Sequence, residues 1–405
     1  MEAAETGSGA YAQYEALRAR GPVVWADGWF GGAWLVTGFD GVEAALKDGR
    51  LSAQRTGGWV MRNALRGSAE RRSLVRMQRL LARALLFVDR PAHPRLRQAM
   101  LAGFRPAVVQ GLRPFVQARV DELLAAADRA LAAGRPFDAI ESFAKPLPAL
   151  VVSQLLGLRD VEPSEFLEWS TRIAAFLGAV QPAPAQVAAA CEAVVAMARY
   201  LDGQIASGRC GDGLIANLVE AQRRGVLHDG TEMLAQCVML LFAGHETTRH
   251  FLATALYWAV RRGDVWDALA DPARAPAALR ELMRWDSPVQ YTGRRANTAF
   301  DLLGQPVRRG DLVIPLIGSA NRDPRQYAAP DAIDVGRQAG LPLSFGAGLH
   351  FCLGAGLTLM EAECALGAVV RHWPRGALAV AEAAWMEGVP LYRGLRSLKL
   401  RRLEQ

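Results

Sequence analysis

At 405 residues, 51% of them apolar, the chain is long and hydrophobic enough to build a deep core that could enclose a cofactor. Its net charge of +7 is modest for this length, and no aromatic–basic RNA motif or zinc-finger spacing goes with it. Nucleic acid is therefore not an expected partner, and a solvated basic surface with one face open to an acidic protein is.

The chain begins Met1-Glu2-Ala3-Ala4-Glu5, which is acidic and lacks the basic-then-apolar order of a signal peptide. Residues 11–20 read as a short helix stopped by Gly21-Pro22. Residues 23–25 and 33–36 read as strands joined through a glycine-rich turn, and residues 39–47 as a second helix. From Pro106 to about Arg262 the pattern is almost wholly helical, with breaks at Pro163, Pro182, Pro184 and Gly211-Asp212-Gly213. Short strands are expected between Val289 and Val313, then loops, then a helix over 353–372 and a closing hairpin over 391–400. The longest apolar runs, 173–180 and 237–244, fall far short of the roughly 20 residues that span a bilayer. A cytoplasmic protein without a membrane anchor is expected, mainly α with minor β (α+β), with residues 1–405 forming one domain. No repeat or low-complexity run divides it.

The five cysteines, 191, 210, 237, 352 and 364, are odd in number and scattered, with no CxxC pair. Reduced thiols acting as small hydrophobes suit four of them. Cys352 stands apart, at the end of Phe345-Gly346-Ala347-Gly348-Leu349-His350-Phe351-Cys352-Leu353-Gly354. Glycines there remove the Cβ atoms that would keep a flat macrocycle away from the backbone. Backbone N–H groups around the sulfur would support a metal-bound thiolate.

A second constellation is Ala243-Gly244-His245-Glu246-Thr247-Thr248, inside a long apolar helix. A mid-helix glycine costs about 1 kcal/mol against alanine, so helix stability alone does not select it. Neighbouring helical positions point about 100° apart. Thr247 can thus face a dry pocket while Glu246 turns toward solvent, a carboxylate recharging a hydroxyl that hands over the proton. A zinc site built on His245 and His250 fails on geometry, since two residues five apart on a helix diverge by roughly 140°. His93 and Arg97, four apart, share one helical face.

These segments resemble the cytochrome P-450 superfamily. The Cys352 loop matches its Phe-Gly-x-Gly-x-His-x-Cys-x-Gly pattern without a gap, and Glu246-Thr247 match its acid–alcohol pair. The resemblance implies a single triangular P-450 fold and a haem b (iron protoporphyrin IX) ligated through Cys352. It places Phe345, Gly346, Gly354, Ala243 and Gly244 against that cofactor. It assigns His93, Arg97, Arg294 and His350 to the haem propionates, with Arg295 pointing away. It also implies a buried network of Glu281, Arg284 and Arg337 behind the haem, holding the Cys352 loop. The pattern departs from many bacterial members at Pro342, where they carry His, and at Leu357-Thr358-Leu359-Met360-Glu361, where an arginine is lost. That second change bears on redox-partner docking.

The activity implied is monooxygenation of a small apolar or amphipathic organic substrate in secondary metabolism. Electrons would come from a separate ferredoxin and ferredoxin reductase. Oxidative coupling, desaturation or peroxide-driven oxidation by the same haem-thiolate centre is the alternative; a non-catalytic haem carrier would not need Glu246 and Thr247. By resemblance the substrate pocket draws on residues 167–180, 241–244, 289–293 and 391–392. Arg72, Arg76, Arg79 and Arg83, at i, i+4, i+7 and i+11, read as a solvated helix face. Their sharper reading is a surface that greets an acidic substrate or a substrate-loaded carrier protein.

Overall fold

The computed structural model describes residues 9–54, 69–158, 163–180, 182–338 and 340–403. They fall into two compact units, each assembled from separate stretches of chain. The first comprises residues through Leu51, Arg113–Leu147 and Thr247 onward; the second comprises Ser52–Leu112 and Pro148–Glu246.

In the first unit, strand Val23–Ala26 pairs antiparallel with Ala33–Val36, which runs parallel to Leu312–Pro315. The latter pairs antiparallel with Arg294–Ala296, setting Arg294 opposite Val313. Val36, Val42, Val313 and Leu343 share one buried cluster on this sheet, the apolar payload that β-branched strands supply. A three-stranded sheet joins Phe137–Asp138, Leu395–Arg402 and Leu378–Trp385. The expected hairpin over 391–400 is therefore only its second arm: Leu395–Arg402 returns along Leu378–Trp385. The first arm, reading Leu-Ala-Val-Ala-Glu-Ala-Ala-Trp, is alanine-rich and carries little strand signal. Strand Phe137–Asp138 and the π-helical turn Ile140–Ala144 likewise interrupt the stretch read as continuous helix.

Two charged centres lie inside this unit. Glu281, 3% exposed, accepts from Arg284 Nε and Nη2 at 2.8 and 2.7 Å and from Arg337 Nε at 3.1 Å. This is the network expected from resemblance. The other was not foreseen. Asp286, 1% exposed, accepts from Arg393 Nε at 2.6 Å, Trp258 Nε1 at 2.7 Å and Tyr11 Oη at 3.3 Å. Arg322 lies 4.0 Å from the same carboxylate, its guanidinium stacked over the Trp285 and Tyr11 rings at 3.4 and 3.7 Å.

Helix Ala355–His372 follows the Cys352 loop and is buried along most of its length. Burial pushes the Glu361 carboxyl up to about 8, and its Oε1 has no hydrogen-bond partner among the described residues. The folded protein thus keeps this acid protonated at a pH where the unfolded chain ionises it. Its contribution to stability is full below about pH 4.5 and is lost as the pH rises toward 8. Glu361→Gln is expected to raise the melting temperature by a few degrees at pH 8 and hardly at all at pH 5, read by circular dichroism. Equal shifts at both values would contradict the buried neutral acid.

The second unit is helical. It contains Ala69–Leu81, Ala92–Leu101, Pro163–Gly178, Pro184–Ala206, Leu214–Arg223 and the first half of Gly230–Arg261. Arg95 and Glu232 join two of these through a bidentate pair at 2.6 and 2.8 Å. Leu74 and Met77 bury one face of Ala69–Leu81 while Arg72, Arg76 and Arg79 are exposed on it. Arg83 lies beyond the end of that helix and reaches Asp229 at 3.6 Å, so the expected stripe of four arginines is three. No helix among the described residues is long and apolar enough to cross a membrane.

Candidate functional site

The Cys352 loop lies in the first unit. It opens with a 3-10 turn, Leu343–Phe345, and a second, Gly348–His350, follows at once. Gly346 and Gly348 take φ of +71° and +66°, the left-handed region that a Cβ disfavours. A Cβ on Gly348 would also stand 3.1 Å from the Cα of Lys47, at the end of helix Phe39–Lys47. The loop is therefore folded tightly on itself and on that helix. Its closure is the N–H of Cys352, which donates to the carbonyl of Phe345 at 2.8 Å. Phe345 is buried and its ring lies 6.5 Å from that of Phe351.

Cys352 is half-buried, whereas Cys191, Cys237 and Cys364 are buried. Burial pushes the Cys191 thiol up to about 11 and the Cys237 thiol up to about 12, so both stay inert thiols. Cys352 instead stands just ahead of helix Ala355–His372, for which Gly354 is the N-cap. A helix N-terminus favours negative charge, and the glycine cap keeps the approach to it open.

Arg294 follows from strand alternation. In Arg294–Ala296 its side chain points inward, 4% exposed, and Nη1 donates to Thr292 Oγ1 and the Gly293 carbonyl at 3.1 and 3.0 Å. Arg295 faces the other way and donates to the Gly310 carbonyl at 2.6 Å, as expected. His350 is half-buried in the loop. Thr247 is half-buried too, and its neighbour Thr248 has Oγ1 3.5 Å from Thr358 Oγ1.

The remaining site residues belong to the second unit. His93 and Arg97 sit on helix Ala92–Leu101, His93 fully buried and Arg97 half-buried. Ala243, Gly244 and Glu246 follow one another on helix Gly230–Arg261, with Thr247 as the next residue of the same helix. A Cβ on Gly244 would stand 2.6 Å from Val152 Cγ2, so close approach of helix Pro146–Leu156 is one reason for the glycine. Glu246 departs from expectation. It is 2% exposed rather than turned to solvent, and its Oε2 lies 3.6 Å from Nδ1 of the buried His245. The helical wheel gives an angle between neighbours, and burial depends on what packs there: Glu246 meets protein instead of water.

Comparison with known proteins decides the family. The chain is 36% identical to the cytochrome P-450 monooxygenase PikC of Streptomyces venezuelae, over 96% of this chain and 90% of that one. The chain belongs to the cytochrome P-450 superfamily. The family model for cytochrome P-450 matches residues 266–374, the stretch that holds Glu281, Arg294 and Cys352. The 20-oxo-5-O-mycaminosyltylactone 23-monooxygenase of Streptomyces fradiae is 34% identical over 89% of this chain and 82% of its own. Among solved structures, the tirandamycin C-bound P-450 monooxygenase TamI superposes with a TM-score of 0.83 at 32% identity, covering 97% of each chain.

As a P-450 the protein is an oxidoreductase of the monooxygenase class with a haem cofactor, of the kind found in bacterial secondary metabolism. Its own residues fit that group. The Cys352 sulfur is the donor type that haem iron takes in P-450 enzymes. Left-handed glycines shape the loop beside it. Arg294, in the same unit, is a buried basic side chain, the kind of partner that a buried carboxylate requires.

Proposed function

We propose that residues 1–405 act as one catalytic domain that hydroxylates an apolar or amphipathic natural product. Cys352 would ligate the iron of haem b, and Arg294, His350, His93 and Arg97 would pair with its propionates. When bound, the haem supplies the activation of dioxygen. Balance requires two electrons and two protons for each oxygen atom inserted, the other atom leaving as water. Glu246 and Thr247 are the residues that would hold and pass those protons, Glu246 from a buried position beside His245. The electrons would come from a separate ferredoxin and its reductase, a reading supported by the net charge of +7, which suits an acidic partner.

The carrying observation is the Cys352 loop, glycine-turned, closed by the Cys352-to-Phe345 bond and set before a helix N-terminus. Support for the substrate class comes from the relatives named for tylactone-derived and tirandamycin compounds. Whether the substrate arrives free or on a carrier protein bears on the exposed Arg72, Arg76 and Arg79. Reversing the charge of Arg76 and Arg79 should weaken carrier-bound substrate only; unchanged affinity would remove the carrier reading.

The decisive test is the absorbance spectrum of the reduced protein under carbon monoxide. Wild type should give a strongly red-shifted Soret band that Cys352→Ser loses. An unshifted band in the wild type, or no bound haem, would overturn the assignment.

A further inference from the structure

We propose that Asn321, acting with Ser287 and Ser344, is a positioning residue for the Cys352 thiolate. The inference rests on Cys352 being the iron ligand and concerns what fixes its place. All the groups involved lie in the first unit. The Asn321 side chain is fully buried and uses each of its polar atoms. Its Oδ1 accepts the N–H of Leu343 at 2.9 Å. Its Nδ2 donates to Ser287 Oγ at 2.7 Å and to Ser344 Oγ at 2.9 Å. The Ser344 hydroxyl donates onward to the Met283 carbonyl at 2.8 Å, and the two serine hydroxyls lie 2.9 Å apart.

These bonds hold the first two residues of the loop, Leu343 and Ser344, to Asn321 and, through the Ser344 hydroxyl and the Met283 carbonyl, to helix Ala275–Trp285. The next residue, Phe345, offers the carbonyl that takes the Cys352 N–H at 2.8 Å. One peptide unit and one hydrogen bond thus separate the clamp from the ligand residue. The clamp is also tied to the charged network behind it, because Arg284 Nη1 donates to the Asn321 main-chain carbonyl at 2.8 Å. Glu281 and Arg284 anchor the helix; Asn321 transfers that anchorage to the loop. A fully satisfied buried polar network of this kind specifies one geometry where apolar packing would allow several. Without the amide, the N–H of buried Leu343 would lose its acceptor.

The test uses the haem-loaded full-length protein and follows how fast the red-shifted carbon monoxide band converts to the unshifted one at fixed temperature. Asn321→Ala and Ser344→Ala should convert about tenfold faster, on the order of one net hydrogen bond. Ser344→Thr, which keeps the hydroxyl, should restore the wild-type rate. Leu400→Ala, a core truncation in the three-stranded sheet, serves as a control with lowered melting temperature. If it converts as fast as Ser344→Ala at a matched loss of melting temperature, the clamp is merely structural and the proposal fails. Wild-type conversion rates in both alanine variants overturn it equally. Should Asn321→Ala not fold, the Ser344 pair decides alone. A wild-type protein lacking the red-shifted band would instead sink the assignment of Cys352 as ligand.

Discussion

Glu281→Ala is expected to cost about 3–5 kcal/mol, the range for removing one partner of a buried ion pair. The two oxygens of Glu281 receive two N–H groups of Arg284, one of Arg337 and the main-chain N–H of Asp334 at 2.8 Å. The side chain of Arg284 is 2% exposed, so truncation leaves its charge without water to receive it. Its remaining bonds, to the carbonyls of Asn321, Pro330 and Ala332, satisfy hydrogens but do not neutralise charge. Against a typical stability of about 5–15 kcal/mol, the loss would leave little haem-loaded protein. Arg337→Ala should be milder, because that side chain is 10% exposed and reaches water. Urea unfolding of the variants measures both. A wild-type midpoint for Glu281→Ala would show that the network carries no stability.

The second large effect is on catalysis. Glu246→Gln is expected to lower the rate of product formation about 100-fold, the lower end for a positioned general acid, while haem content stays at wild-type level. Thr247→Ala should spare electron consumption more than product if the hydroxyl has its proposed role in proton delivery rather than reduction. The ratio of product formed to reduced nicotinamide consumed, measured with surrogate ferredoxin, separates these outcomes. Ratios equal to wild type in both variants would remove the proton-relay reading. The buried Glu246 beside His245 sharpens the expectation: a carboxylate shielded from bulk water cannot be replaced casually by buffer.

The parts of this design legible from residues alone share one property, short range. The Cys352 loop, the His93/Arg97 pair and the inward Arg294 are each written within about ten consecutive positions, where periodicity and glycine chemistry act. Glu281 and Arg284 are also local, though only the ordered motifs around them separated the pair from an ordinary helical salt bridge. Asp286 was not legible, because its partners Tyr11 and Arg393 lie 275 and 107 positions away. Nothing in the residues flanking Asp286 signals two distant arginines and a tryptophan. Glu246 was misread for a different reason: a wheel angle fixes direction, whereas exposure depends on what packs there. The Leu378–Trp385 arm was missed because five of its eight residues are alanine or glutamate, types with weak strand preference.

The Asp286 centre also constrains the order in which the chain can fold as it is made. The set of partners around the carboxylate is not complete until Arg393 has been synthesised, 107 residues later. Tyr11 must wait for Asp286 itself, 275 residues later. The second unit contains no residue beyond Glu246, so all of its stretches exist while the ribosome is still adding the rest. The first unit, stitched from three separated stretches, carries the long loop-closure cost of non-local contacts and completes itself only once Arg393 has been made. Nascent chains arrested before Arg393 should therefore resist protease in the second unit and be cut in the first.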